Sequence, residues 1–189
     1  RLNLSALDEL FKALTLEKIQ LSYLFLTEGI PDTELAKLSG SLVDVGPKVL
    51  YHKKILTANP DYHLQIASYP IGVLRDELYN LALQSGGYSR FKLDKKLPSG
   101  AYEKLYRAWI EKSVARILAE EVLVFKIGDK IAGMVTLTVK NDWGDIGLIA
   151  VDTDFRGQKI GHHLLEAAYS YFYNLGIEDL GVETQANNK

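Results

Sequence analysis

The sequence predicts a mixed α/β fold in which a small α/β unit precedes a larger one. Three observations predict it. Apolar residues recur at helical spacing in several segments, short runs of strand-forming residues sit between turn residues, and one apolar strand runs straight into a glycine-containing loop and a helix.

In chain order, Leu7, Leu10, Phe11 and Leu14 predict a helix over Ala6–Glu17 with Ser5 as its N-cap. A strand over Leu21–Leu26, a helix over Pro31–Leu38 and strand material over Leu42–Ile55, interrupted at Gly46 and Pro47, follow. Thr57–Asp61 is turn chemistry, so the domains are expected at 1–58 and 61–189. His63–Tyr69 reads as a strand. Gly72–Gln84 reads as a helix that Gly86 and Gly87 stop, and a loop covers Tyr88–Gly100. Leu105, Trp109, Ile110 and Val114 predict a helix over Ala101–Leu118. Three meandering strands, Val122–Lys126, Ile131–Val139 and Asp145–Val151, are joined by turns at Gly128-Asp129 and Asn141–Gly144. A helix over Ile160–Leu175, stopped by Gly176, and a strand over Asp179–Thr184 complete the order.

Composition narrows the functions. The chain has 189 residues, 47% hydrophobic and 24% charged, the balance of a globular protein with a core. Its net charge of −2, from 22 basic and 24 acidic residues, gives no global field toward nucleic acid or a membrane surface. An anionic ligand must therefore be held locally. With no cysteine, disulfide scaffolds, thiolate metal sites and cysteine nucleophiles are excluded, and a cytoplasmic setting is expected. No run of about 18 apolar residues offers a membrane span. The chain opens at Arg1 rather than methionine, so a fragment, a processed chain or missing ends are expected.

The chemistry concentrates in Leu148–Leu165, LIAVDTDFRGQKIGHHLL. Gly157 and Gly161 allow tight bends and close approach, and the helix from Ile160 presents unpaired N–H groups with partial positive charge. Arg156 and Lys159 add formal charge beside those amides, which suits a phosphate or pyrophosphate. The alternative is an ordinary strand-to-helix turn with solvated charges. The loop follows a meander rather than opening a βαβ unit, which argues against a dinucleotide-binding fold, and it lacks the Lys-Ser/Thr ending of a P-loop.

With these residues the sequence resembles the GNAT acetyltransferase superfamily, whose pyrophosphate loop reads Arg/Gln-x-x-Gly-x-Gly/Ala. Arg156 and Gly161 match, and Lys159 stands where the pattern has its first glycine. The resemblance covers about Asp61 to Lys189 and implies a GNAT acyl-CoA N-acyltransferase fold behind a small N-terminal α/β domain. It also implies acetyl-CoA as co-substrate. The strings SRF at Ser89–Phe91, YRAWIEKSV at Tyr106–Val114 and ETQANN at Glu183–Asn188 resemble the dTDP-fucosamine acetyltransferases and related nucleotide-sugar N-acetyltransferases. The acceptor so implied is a small-molecule amine, a nucleotide-linked amino deoxysugar. A protein N-terminal acetyltransferase and a non-catalytic acyl-CoA-binding module stay open beside it.

The resemblance further implies direct transfer without an acyl-enzyme. The backbone at Ile149, Ala150 and Val151 would hold pantetheine and polarise the thioester. Arg156, Gly157, Gln158, Lys159, Ile160, Gly161 and His162 would hold the pyrophosphate, with Asn188 contributing to the cofactor site. The general-acid tyrosine and the last elements of the domain are expected after Lys189, so no catalytic side chain is assigned and the C-terminal elements are expected to be missing. Ser89, Arg90 and Phe91 suit an anionic acceptor through charge and ring stacking, against the alternative of a solvated basic loop. Tyr106 and Trp109, three apart on one helix, line an acceptor cleft or pack into the core, and Trp109 is assigned to the core. Asp152 and Asp154 are expected to cap the loop rather than serve as a base. His162 and His163 are adjacent and point apart, so no metal site is expected. A homodimer is among the open oligomeric states.

Overall fold

The computed structural model describes residues 4–26, 33, 44–57 and 63–188. The chain divides into two compact units, 1–44 and 45–189.

In the first unit α1 (Leu4–Leu16) forms where the apolar spacing predicts it. Lys18, left-handed at φ 55°, closes it. The strand expected over Leu21–Leu26 is irregular chain, in which Leu21, Leu24, Phe25 and Leu26 are exposed. A short apolar run becomes a strand only where a ladder takes it up. The helix expected over Pro31–Leu38, apart from Thr33, and most of the Thr57–Asp61 turn lie outside the described residues.

The second unit is a six-stranded sheet in the order β1-β6-β5-β4-β3-β2, with helices on both faces. Its strands are β1 (Lys48–Lys54), β2 (Ile66–Ser68), β3 (Glu121–Ile127), β4 (Lys130–Lys140), β5 (Trp143–Val151) and β6 (Asp179–Gln185). β1, expected to belong with the N-terminal unit, is here the edge strand antiparallel to β6, from Lys48↔Gln185 to Lys54↔Asp179. The meander is as expected, and Asn141 and Asp142, both left-handed, make its tight second turn.

The helices are α2 (Asp76–Ser85), α3 (Arg90–Leu93), α4 (Ala101–Val114) and α5 (Ile160–Asn174). α2 starts later than the apolar spacing suggests. Asp76 and Glu77 supply the negative charge that a helix N-terminus favours, while Val73 is exposed ahead of it. α3 interrupts the loop expected over Tyr88–Gly100, and α4 ends at Val114, ahead of the left-handed Arg116.

On one face α5 buries Ile160, Leu164, Ala167, Ala168 and Phe172, spaced for one helical stripe, against Val135, Leu137 and Ile146. Each large side chain buried there contributes roughly 1.5–3 kcal/mol. On the other face α2 and α4 bury Leu78, Leu81, Tyr106 and Ile110 against Val122, Met134, Leu148 and Ala150.

A cleft at the divergence of two parallel strands

β5 and β6 are the parallel pair of this sheet, and they separate. Pairing runs from Gly144↔Leu180 to Ile146↔Val182, yet β5 continues to Val151 and β6 to Gln185. The register of β4 against β5 also shifts here: Val135 faces Ile149 and Leu137 faces Ile146, so Thr136 stands opposite the two residues Gly147 and Leu148. This is a bulge, a device that re-aims side chains and ends pairing. Thr136, fully buried, accepts the Leu148 amide on its Oγ1 at 2.8 Å.

The bulge decides which way the strand faces. Ile146 packs on the α5 side, Leu148 and Ala150 pack on the α2/α4 side, and Ile149 and Val151 return to α5. The Asp152 amide donates to Ala132 of β4 at 2.9 Å. Backbone groups alternate along a strand, so Ala150 also turns toward β4, while Ile149 and Val151 turn toward the side β6 has left. Of the three backbone positions expected to hold pantetheine, these two face the gap. On that side the Val151 carbonyl accepts Arg156 Nε at 3.2 Å.

At the far end of β5 the chain turns through a 3₁₀ segment, Thr153–Phe155, into α5. Asp152 Oδ1 accepts the Asp154 amide at 3.0 Å, the expected cap. Gln84, at the end of α2, ties the same turn down: its Nε2 donates to Asp152 Oδ2 at 3.3 Å, and its Oε1 accepts the Thr153 amide at 3.1 Å. Gly157 is left-handed at φ 79°, as a tight bend requires. Lys159 is left-handed too, at φ 60° and ψ 13°, immediately before α5. That conformation explains why glycine occupies this place in the loop pattern. Gly161 differs from the expectation, since it lies inside α5 without positive φ, and a Cβ there would make an ordinary contact with Val151 at 3.6 Å.

Gln158 and His162 are exposed, and Ile160 is buried under the loop. His163 turns the other way, its ring centroid 4.4 Å from that of His63 and 6.1 Å from that of Phe125. Burial lowers its pKa, and His63, His162 and Lys159 add to the effect while Glu166 opposes it. Asn188 donates to Thr184 Oγ1 at 2.8 Å. Parallel strands end on the same side, so Asn188 stands beyond the end of β6 that lies across from the loop.

Ser89, Arg90 and Tyr106 come together where α2 passes into α3. Ser89 and Tyr106 are buried, and the Arg90 guanidinium lies over the Phe91 ring at 4.4 Å. Burial raises the Tyr106 pKa, while Ser89 and Arg90 lower it. A Cβ at Gly86 would overlap the Tyr106 ring. From Tyr106 the ring row continues along α4 to Trp109, with centroids 5.7 Å apart. Trp109, assigned to the core by spacing, packs against that core and is half-buried. Its Nε1 is 3.8 Å from the point where Gly147 would carry a Cβ. Trp109, Thr136, Gly147 and Gln84 escape a reading by motif. The one signal among them is Gly147, an isolated glycine inside a strand pattern.

An open strand edge, a cationic loop and a helix N-terminus follow one another in this order along the chain. The profile of the Acetyltransferase (GNAT) family matches residues 78–189, more than half of the protein. The chain belongs to the GNAT acetyltransferase family.

Two solved structures share the fold at TM-scores of 0.50 and 0.51. A putative acetyltransferase from Pyrococcus horikoshii is 22% identical, with a TM-score of 0.50, over 75% of this chain and 83% of its own. The PaiA N-acetyltransferase from Thermoplasma acidophilum, solved in complex with coenzyme A, is 14% identical, with a TM-score of 0.51, over 67% and 83%. An acetyltransferase from Bacillus subtilis in complex with CoA is 21% identical, with a TM-score of 0.45, over 64% of each chain, so this chain spans just under two thirds of its length. No curated protein matches the sequence. Among the described residues, no helix is long and apolar enough to cross a membrane and no group of three His, Asp or Glu is placed to hold a metal.

Proposed function

We propose that this GNAT protein is an acetyl-CoA-dependent N-acetyltransferase acting on the amino group of a small molecule. The observation that carries the reading is the divergence of β5 from β6 beyond Ile146, with the cationic loop and the N-terminus of α5 at its far end. The residues fit the co-substrate. Arg156 and Lys159 supply charge for a pyrophosphate, the first amides of α5 supply donors, and the Ile149 and Val151 edge supplies hydrogen bonds for an extended amide-containing arm. Acetyl-CoA brings the thioester. The protein positions the amine beside it and places backbone donors where carbonyl charge develops, so no nucleophilic side chain is required.

The acceptor we infer is anionic, a nucleotide-linked amino deoxysugar. Arg90 stacked on Phe91, close to the buried Tyr106, supplies a cation and a ring on the same side of the sheet as Trp109. A cytoplasmic setting fits a chain without cysteine.

The test is calorimetric titration with acetyl-CoA of the unaltered protein and of Gly161→Glu. A Cβ at 161 meets Val151 only at ordinary contact distance, so the substitution starts without a clash and places bulk and negative charge in the first turn of α5, beside the loop. Loss of binding in that variant alone supports the cofactor site. Equal binding in both overturns it. Arg90→Ala should then weaken use of a nucleotide-sugar amine while leaving acetyl-CoA affinity intact.

A further inference from the structure

The unpaired edge of β5 offers a route to an acyl-carrying arm. The Arg156–Gly161 loop follows the C-terminal end of β5. An arm leaving a pyrophosphate held there would run back along the open edge, past Val151 and Ile149 toward Gly147. Four residue steps of roughly 3.3 Å put Gly147 about 13 Å from Val151. The gap closes at that point, because β6 pairs with β5 at Ile146. The far end of the arm, which bears the acyl group, would then reach the closed end, or apex, of the gap.

Trp109 stands at this apex. The point where Gly147 would carry a Cβ lies 3.8 Å from Trp109 Nε1, 4.0 Å from its Cζ2 and 2.9 Å from Thr136 Oγ1. Gly147 thus leaves the strand bare between a rigid indole and a buried hydroxyl, and α4 holds the indole through the Tyr102, Tyr106 and Trp109 row, with successive centroids at 4.8 and 5.7 Å. The geometry points to Trp109 as the end wall of the acyl pocket, selecting acetyl over longer acyl groups. This rests on the acetyl-CoA reading above. A wall of this kind acts by exclusion, and one or two methylenes of mismatch in an apolar pocket discriminate by about ten- to a hundredfold.

The protein has two tryptophans. Trp143, at the other end of β5, stacks on His52 with centroids 4.7 Å apart. In Trp143→Phe the emission of Trp109 alone reports on the apex, and titrations with acetyl-CoA and butyryl-CoA can be followed by heat and by fluorescence together. Acetyl-CoA is expected to bind and to change Trp109 emission, and butyryl-CoA to bind at least about tenfold more weakly. Trp109→Ala in otherwise unaltered protein is expected to bring the two dissociation constants within about threefold of each other by admitting the longer chain. Heat without an emission change overturns the end wall and leaves the acetyl-CoA reading standing. So does a butyryl-to-acetyl ratio that Trp109→Ala leaves unchanged. Absence of heat with either thioester overturns both. Should Trp109→Ala fail to fold, the emission of the unaltered Trp109 decides.

Discussion

The Thr136 hydroxyl accepts the Leu148 amide at 2.8 Å across the bulge, replacing the backbone partner that the shifted register takes away. Thr136→Val keeps the shape of the side chain but leaves that amide unpaired in a buried position, a cost of about 1–3 kcal/mol. Urea unfolding should show a loss of that size with an unchanged m-value, and acetyl-CoA binding should weaken because the open edge starts at this bulge. A variant as stable as the unaltered protein would mean that the bulge holds without the hydroxyl.

Gly86 sits beneath the Tyr106 ring with no space for a methyl group, although its own φ of −90° suits any residue. The effect of Gly86→Ala is then steric, and overpacking of this kind costs about 1–3 kcal/mol. Tyr106→Ala in the same background should recover part of that loss, giving a coupling between the two sites in a double-mutant cycle. Additive losses would place the strain elsewhere.

The elements nearest the loop were legible because their signals are local. Asn141-Asp142 marks a tight turn by residue type, and the stripe from Ile160 to Phe172 marks a helix face. What depends on partners distant in sequence was not legible. The ladder of Lys48–Lys54 with Asp179–Gln185 joins segments far apart in the chain, and the short apolar run at Leu21–Leu26 finds no ladder among the described residues. In the site, the cationic loop carries a motif, whereas Trp109 and Thr136 acquire a role only when the bulge brings β5 to them. Helical spacing placed Trp109 in the core because three-residue steps show which face a side chain shares but not where the sheet beneath it opens.

Lys159 separates backbone strain from charge. A left-handed non-glycine residue costs about 1–2 kcal/mol, against roughly 0.5–1 kcal/mol for the extra freedom glycine loses on folding. Lys159→Gly should therefore be as stable as the unaltered protein or up to about 1.5 kcal/mol more so, and Lys159→Ala less stable than Lys159→Gly. Both variants remove one cation, so both should weaken acetyl-CoA binding and flatten its dependence on salt. Equal salt dependence in the variants and the unaltered protein would remove Lys159 from the pyrophosphate site.

His163 gives a stability change with a definite sign. Burial, followed by His63, His162 and Lys159, holds its pKa below 6.5 in the folded protein, with Glu166 opposing. The unfolded chain then binds the proton first as pH falls, so this group's contribution is fully present above about pH 6.5 and is lost as pH drops from there toward the folded pKa. His163→Gln keeps a polar side chain on α5 that does not titrate. Denaturant midpoints measured from pH 7.5 to 5 should fall more steeply for the unaltered protein than for the variant, the difference isolating His163 from other groups that titrate in the same range. Parallel curves would show that His163 gains its proton as readily in the folded protein as in the unfolded chain.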